Sequence, residues 1–259
     1  PTMQGMTDGE IPFVIVPDGY HVADLQKLVW NEYNARPHRL TQTVNVLDAP
    51  SFISYFNLFK DNHSRIFADE TKSWVGAILD YHDAGGSESP RWGRHRLNLT
   101  LRKSREWLIW TGRNGQSKKF AQEEFAEFVE DNGPDFIEPT SATMIELART
   151  LEAKKDVDFQ SSLRLANGQV QFTYQENING TFGAGKLEIP EQFSIAVPVY
   201  VGMQREKVTA RLRWRLNGRQ LSIWYDLLRA DVLEREAFAA SLATISDALA
   251  TPIINGVPA

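Results

Sequence analysis

Three sets of residues have types and spacings that could do chemistry. The first is Asp80, His82, Asp83 and His95. Asp80 and His82 are two apart, so on a strand they share a face. The next strand could return His95 beside them. Two imidazoles and a carboxylate suit a divalent metal, and an open coordination position would activate water. The simpler reading is that these groups hydrogen-bond one another and orient the loop around Trp92. The second set is Pro134-Asp135 followed by Glu152-Ala153-Lys154. It has the form of a restriction-type nuclease signature, in which carboxylates hold a metal and a lysine steadies the attacking water. That chemistry needs Glu152 and Lys154 on a strand. Residues 141–155 read as a helix, where side chains two apart diverge, which argues against it.

The third set is a hairpin over 207–225. Lys207, Thr209, Arg211, Arg213 and Arg215 alternate with Val208, Ala210, Leu212, Trp214 and Leu216. With Asn217-Gly218 as the turn, Arg211 faces Trp224, allowing a guanidinium–indole stack. A row of arginines beside an aromatic ring suits phosphate tracking and base stacking. Trp92, Trp107 and Trp110 lie among cations that include Arg94 and Arg96, and make a second surface of that kind. Equally, the arginine face can meet the acidic stretch 120–158, within or between subunits, and most tryptophans are core. There is no cysteine, so a disulfide scaffold, a thiol nucleophile and a cysteine-held metal are excluded. Phosphate-loop, dinucleotide and Gly-x-Ser-x-Gly signatures are missing too. Gly183-Ala184-Gly185 reads as part of a turn over 179–185.

The charge is uneven. Over 259 residues, 28 Lys and Arg stand against 33 Asp and Glu, for a net charge of −5. Residues 91–119 hold cations almost alone, 120–160 are strongly acidic, and 205–229 are basic again. Such blocks can meet an anion such as nucleic acid, or each other across a subunit interface. Composition is that of a folded chain. No apolar run is long enough to span a membrane, and residues 1–10 lack the pattern of a secretory signal. A cytoplasmic protein is expected.

The elements that must position these residues follow from periodicity. Phe13–Val16 reads as a strand and Asp24 as the cap of a helix through Tyr33. Thr41–Leu47 alternates as a strand. Pro50 opens a helix whose Phe52, Tyr55, Phe56 and Phe59 share a face. Residues 74–80 and 95–102 read as strands around a Gly/Ser/Pro loop, 84–90. An amphipathic helix spans 118–131, and Thr140 caps another with Met144, Leu147, Ala148 and Leu151 inward. Asn167-Gly168 signals a hairpin with Leu165 opposite Val170 and Leu163 opposite Phe172. In the second hairpin Trp214 falls opposite Leu221. Asp231 and Glu234 form a capping-box pair, opening a helix that buries Phe238, Leu242, Ile245 and Leu249. The apolar ending 253–257 is expected to dock on this chain or a neighbour. The sum is one α+β domain over 1–259: a largely antiparallel sheet, with a C-terminal β-meander, packed against several amphipathic helices. Residues 11–155 form a mixed subregion, 156–250 the meander with its closing helix, and 1–10 and 251–259 are tails.

Spaced motifs run along most of the chain. They include Val16-Pro17-Asp18-Gly19-Tyr20, Leu79-Asp80-Tyr81-His82, Pro90-Arg91-Trp92-Gly93-Arg94-His95-Arg96 and Glu106-Trp107 with Trp110. Phe128-Val129-Glu130-Asp131-Asn132, Arg164-Leu165-Ala166-Asn167-Gly168, Ala210-Arg211-Leu212-Arg213-Trp214-Arg215 and Trp224-Tyr225 continue them. In these motifs the chain resembles the YfdQ family of phage and prophage proteins. The resemblance implies a phage or prophage gene product acting inside a bacterial cell, and it carries over no catalytic residue. The expected activity is that of an accessory protein that binds and self-assembles as a homo-oligomer, with no cofactor. The alternatives are a DNA- or RNA-binding protein using Lys207, Arg211, Arg213, Arg215, Trp224, Arg94, Arg96 and Trp92, and a metal-dependent nuclease centred on Asp80, His82 and His95. A host protein is a further candidate partner; a membrane is not.

Overall fold

A computed structural model of the chain describes residues 18–19, 40–82, 91–153, 158–178, 181–217 and 220–258. Contacts divide the chain into two units, Pro1–Gln42 and Thr43–Ala259. The strand expected at 13–16, the helix expected after Asp24 and the loop 84–90 lie outside the described residues, and the account below concerns the second unit.

Its elements are β1 (Thr43–Val46), α1 (Ala49–Phe59), β2 (Arg65–Asp69), β3 (Trp74–Ile78), β4 (Arg96–Thr100), α2 (Arg105–Gly112), α3 (Gln122–Asp131), β5 (Phe136–Glu138), α4 (Ser141–Ala153), β6 (Asp158–Arg164), β7 (Gln169–Ile178), β8 (Thr181–Pro190), β9 (Gln192–Val197), β10 (Glu206–Asn217), β11 (Gln220–Leu227), α5 (Ala230–Leu249) and β12 (Ile253–Asn255). The strands form three sheets, ordered β1-β4-β3-β2-β12, β11-β10-β9-β5 and β6-β7-β8. Most pairs are antiparallel; β1 with β4 and β12 with β2 are parallel. The fold is α+β. Among the described residues no helix is long and apolar enough to cross a membrane.

Local chemistry sets the helices. Asp48 Oδ1 accepts from Ser51 N at 2.7 Å, and Pro50 stands in the first turn of α1. Phe52 and Phe56 are fully buried, with Tyr55 and Phe59 packed beside them, as the spacing predicts. Thr140 Oγ1 accepts from Thr143 N ahead of α4, and Met144, Ala148 and Leu151 are buried. The start of α5 departs from expectation. Its cap is Arg229 in a left-handed conformation, and Asp231 and Glu234 make no capping box. Glu234 instead takes Lys103 Nζ at 2.6 Å and Trp107 Nε1 at 3.3 Å, because tertiary partners outcompete the local pair. The face of α5 reads as expected, with Phe238, Ile245 and Leu249 buried and Leu242 packed beside them.

Two hairpin registers differ from the sequence reading. In the first, Leu165 N donates to Gln169 O at 2.8 Å, leaving residues 166–168 in the loop with Gly168 at φ +79°. Val170 therefore faces Arg164, and Phe172 faces Ser162. A one-residue slip exchanges faces, so Leu163 is 63% exposed while Val170 and Phe172 are buried. In the second, Asn217 faces Gln220, Trp214 faces Ile223, and Arg213 rather than Arg211 faces Trp224. That slip is by two residues, so inner and outer faces are kept. The expected single meander is divided between two sheets. Residues 181–185 are strand, not turn. There Gly185 lies opposite Tyr174, and a Cβ on it would stand 2.3 Å from the Tyr174 ring. Only glycine lets that ring lie across the strand.

The core is continuous across the three sheets and α1 to α5. Its aromatic centre is Trp110, with Phe128, Phe136, Phe193 and Tyr225 centred 5.0 to 5.8 Å away. Trp110 Nε1 donates to the buried Asp135 at 2.9 Å, and the Tyr225 hydroxyl donates to Trp110 O at 2.7 Å. Burial pushes the Tyr225 phenol well above its usual range.

The hairpin register is directly testable by urea unfolding. Leu163→Asp should change stability by no more than about 0.5 kcal/mol, as for other surface positions. Phe172→Ala should cost about 3–5 kcal/mol, the usual loss for emptying a buried aromatic position.

Candidate functional site

The histidines do not meet. Strand β3 ends at Ile78, so Asp80 and His82 lie in the turn after it and share no strand face. The Asp80 carboxylate accepts from His95 N at 2.9 Å and Arg94 N at 3.3 Å, and its carbonyl accepts from Gly93 N. His95 turns inward, only 6% exposed. Its Nε2 is 2.9 Å from the Tyr55 hydroxyl, and its ring meets Phe59 edge-on at 5.1 Å. His82 turns the other way. Its Nδ1 accepts from Arg91 N at 3.1 Å, and its ring lies 5.0 Å from Tyr81. Among the described residues no three His, Asp or Glu side chains gather as a metal set; Asp83 lies outside them. These polar groups brace the Trp92 turn. Burial holds the His95 imidazole below its ordinary value, against a smaller opposing pull from Asp80.

The second set is likewise dispersed. Asp135 is buried under Trp110 and paired with Arg205 at 3.3 Å. Glu152 is on α4, and Lys154 lies outside the described residues.

The hairpin face carries its cations outward, as the alternation predicts. Acids of the same chain partner several of them. Lys207 meets Glu138 at 3.2 Å, and Arg213 meets Asp226 at 3.2 Å. Arg215 is exposed, while Arg211 is half-buried, its Nε without a hydrogen-bond partner among the described residues. Trp224 is only 9% exposed, with the Lys119 ammonium 5.7 Å from its ring centre. Neither it nor Trp107 and Trp110, both buried in the core, offers an open stacking surface.

Trp92 differs. It is 64% exposed, and the Arg94 guanidinium lies 5.2 Å over its ring. Arg96 Nε donates to Gly93 O at 2.8 Å, which fixes it in the same turn. Beside Trp92 opens a cavity of about 580 Å³. Phe67, Tyr81 and His82 line it together with the C-terminal residues 254–258. The C-terminal part of the lining is there because β12 adds in parallel to β2 and Gly256 N donates to Ala68 O at 2.8 Å. Sequence reading marked Trp92, Arg94 and Arg96 but missed Tyr81 and Phe67 as their neighbours. The apolar run 253–257 docks on this chain, one of the two outcomes expected for it, through β12 on β2, but its place beside Trp92 was not expected.

The fold and this surface define an α+β protein with an open aromatic and cationic cavity on its five-stranded sheet. A family model described as an uncharacterized conserved protein, DUF2303, matches residues 3–258, and the chain belongs to that family. No curated protein and no solved structure matches it.

The buried His95 sets a pH dependence. Its folded pKa lies below the ordinary 6.5, so between the two values the unfolded chain binds the proton more readily. Its contribution to stability is present above the unfolded value and is lost as pH falls through the folded one. Urea midpoints should therefore fall between about pH 7.5 and about pH 5.5, and His95→Gln should flatten that fall.

Proposed function

We propose that the chain is a phage- or prophage-encoded accessory protein of the bacterial cytoplasm that acts by binding and by self-assembly into a homo-oligomer. The observation that carries this reading is the β7–β8 ribbon. Its strands pair from Gln169 with Pro190 to Ile178 with Thr181, whereas β6 accompanies β7 only as far as Gln175. Past that point no third strand accompanies the ribbon among the described residues. A two-stranded ribbon is marginal in water by itself, and its outer edges present backbone groups suited to pairing with another chain. A second copy meets both needs. The ion pairs Arg205–Asp135 and Lys207–Glu138 already use within one chain part of the complementarity of the charge blocks. Strand pairing is thus the more direct route to assembly.

The test is the absolute mass of the native protein at about 0.15 M and about 1 M salt, since strand pairing survives screening that weakens exposed ion pairs. One discrete multiple of the chain mass is expected at both. Replacing residues 176–183 by Asn-Gly, which closes the ribbon at the Gln175–Ala184 pair, should lower that multiple. A full chain that runs at single-chain mass under both conditions would overturn the reading.

A second reading, nucleic-acid binding, is favoured by the exposed Trp92 with its Arg94 cover. Affinity for a labelled single strand should fall steeply between about 50 mM and 200 mM salt, and Arg94→Ala should reduce the log–log slope by about one. Absence of retention at the lower salt would remove this reading.

A further inference from the structure

We propose that the cavity between Trp92 and β12 is a binding site for one nucleotide, with the base held on the aromatic side and the phosphate at the arginine rim. This deepens the nucleic-acid reading and rests on it for its ligand class.

Four observations converge. Among the described residues Trp92 is the most exposed of the large aromatic side chains, yet its turn is fixed from behind by Asp80 accepting from the amides of residues 94 and 95. A ring held rigid and open loses little entropy when a flat ligand stacks on it. Second, the lining holds further rings. Phe67 and Tyr81 are centred 5.6 Å apart, and Tyr81 and His82 5.0 Å apart, so a base resting on Trp92 enters a cavity that carries additional aromatic surface. Third, the polar groups are suited to an anionic heterocycle. The Arg91 amide donates to His82 Nδ1, which leaves the proton of the neutral ring on Nε2 as a donor. The Asn255 amide at the rim carries both a donor and an acceptor for a base edge. Arg96 in the lining and Arg94 over the Trp92 ring supply positive charge, and no described lining residue is acidic. Fourth, the volume of about 580 Å³ falls within the roughly 300–1,000 Å³ of small-ligand sites.

Each feature has another use alone. Guanidinium on an exposed indole, further aromatic rings in the lining and no carboxylate among the described lining residues together match a ring that carries phosphate. A neutral apolar ligand would not need the arginines, and a cationic one would be repelled by them.

The ligand arrives either as a free nucleotide or as the terminal residue of a single strand, and the experiment separates these. Equilibrium binding to the full chain is measured for adenosine, inorganic phosphate, AMP, GMP, and a single-stranded oligonucleotide with and without a 5′ phosphate. AMP or GMP should bind more tightly than adenosine or phosphate alone. Trp92→Ala should weaken that binding by roughly five- to a hundredfold, the usual loss for a stacked base. Val257→Trp, which narrows the mouth at an exposed lining residue, should weaken it similarly. Arg235→Ala, an exposed cation on α5 outside the cavity lining, should leave it unchanged. Both lining residues are exposed, and an unchanged thermal midpoint confirms that the variants fold. Mononucleotide binding without oligonucleotide binding identifies a free-nucleotide site. Binding of both, stronger with the 5′ phosphate, identifies a strand end. Oligonucleotide binding that survives Trp92→Ala, with no mononucleotide binding, overturns the cavity proposal and leaves nucleic-acid binding elsewhere. Binding to none of the probes overturns both.

Discussion

The five-stranded and four-stranded sheets depend for their junction on one buried serine. Ser104 N donates to Val199 O at 2.9 Å, its hydroxyl donates to Pro198 O, and its Oγ accepts from Trp107 N at 2.9 Å. The same side chain therefore caps α2 and ties it to the end of β9. Around it, Val201 N donates to Arg102 O, and Lys103 bridges to Tyr200. Strand β4 thus runs out of one sheet and is handed to the segment leaving the other. The Ser73 and Tyr200 hydroxyls, 2.9 Å apart, close the seam from the β2–β3 side, and Glu234 brings α5 to it through Lys103 and Trp107. Buried polar groups in such a seam are stabilising only as a complete set, because any one left unpaired costs about 1–3 kcal/mol. This is why one continuous core can run beneath sheets that share no regular ladder.

The seam also sets what the surface can offer. With α2 capped at Ser104, Trp107 and Trp110 point into the core, and the basic stretch 91–119 keeps one tryptophan for solvent. With β9 held at Val199, Arg205 reaches Asp135, and Lys207 reaches Glu138. The acidic stretch thereby serves as a neighbour of the basic hairpin. Lys207–Glu138 is exposed on both sides and contributes little stability, about 0–1 kcal/mol, whereas Asp135 in the other pair is buried. Together the two pairs lower the net charge of the hairpin face.

Short-range signals were legible in the sequence. The Asp48 and Thr140 caps, the Phe52–Phe59 face of α1, the inward side of α4 and the alternation of β10 all follow from side-chain chemistry within a few residues. Registers were less so. The pair Asn167-Gly168 marks a hairpin but does not say whether the loop holds two residues or three, and one residue decides whether Leu163 or Phe172 is core. Asp231 and Glu234 have capping-box spacing, yet Glu234 is drawn to Lys103 and Trp107 by a fold that local pattern does not encode. The candidate cavity was half legible. Trp92, Arg94 and Arg96 stand together in the chain, but the wall from β12 arises by parallel pairing with β2, far away in sequence, where periodicity carries no information.

The bracing of the Trp92 turn explains why two histidines and an aspartate stand so close without forming a metal set. A metal site needs imidazole nitrogens converging on a point. Here the rings are placed on opposite sides of the turn, one locked to Tyr55 beneath it and the other to the Arg91 amide at its rim. Asp80, between them, spends its carboxylate on backbone amides. Each group thereby fixes a different part of the same loop: His95 its base, Asp80 its backbone, His82 its edge. A loop fixed at three places can hold a large ring in water without the ring collapsing onto the nearest apolar surface. That collapse is the default for an exposed indole, since burying it against Phe67 and Ile254 would remove apolar area at about 25 cal/mol per Å². The cavity stays open because the polar network below it resists that closure, and an open, rigid aromatic cavity is the form in which such a surface can bind.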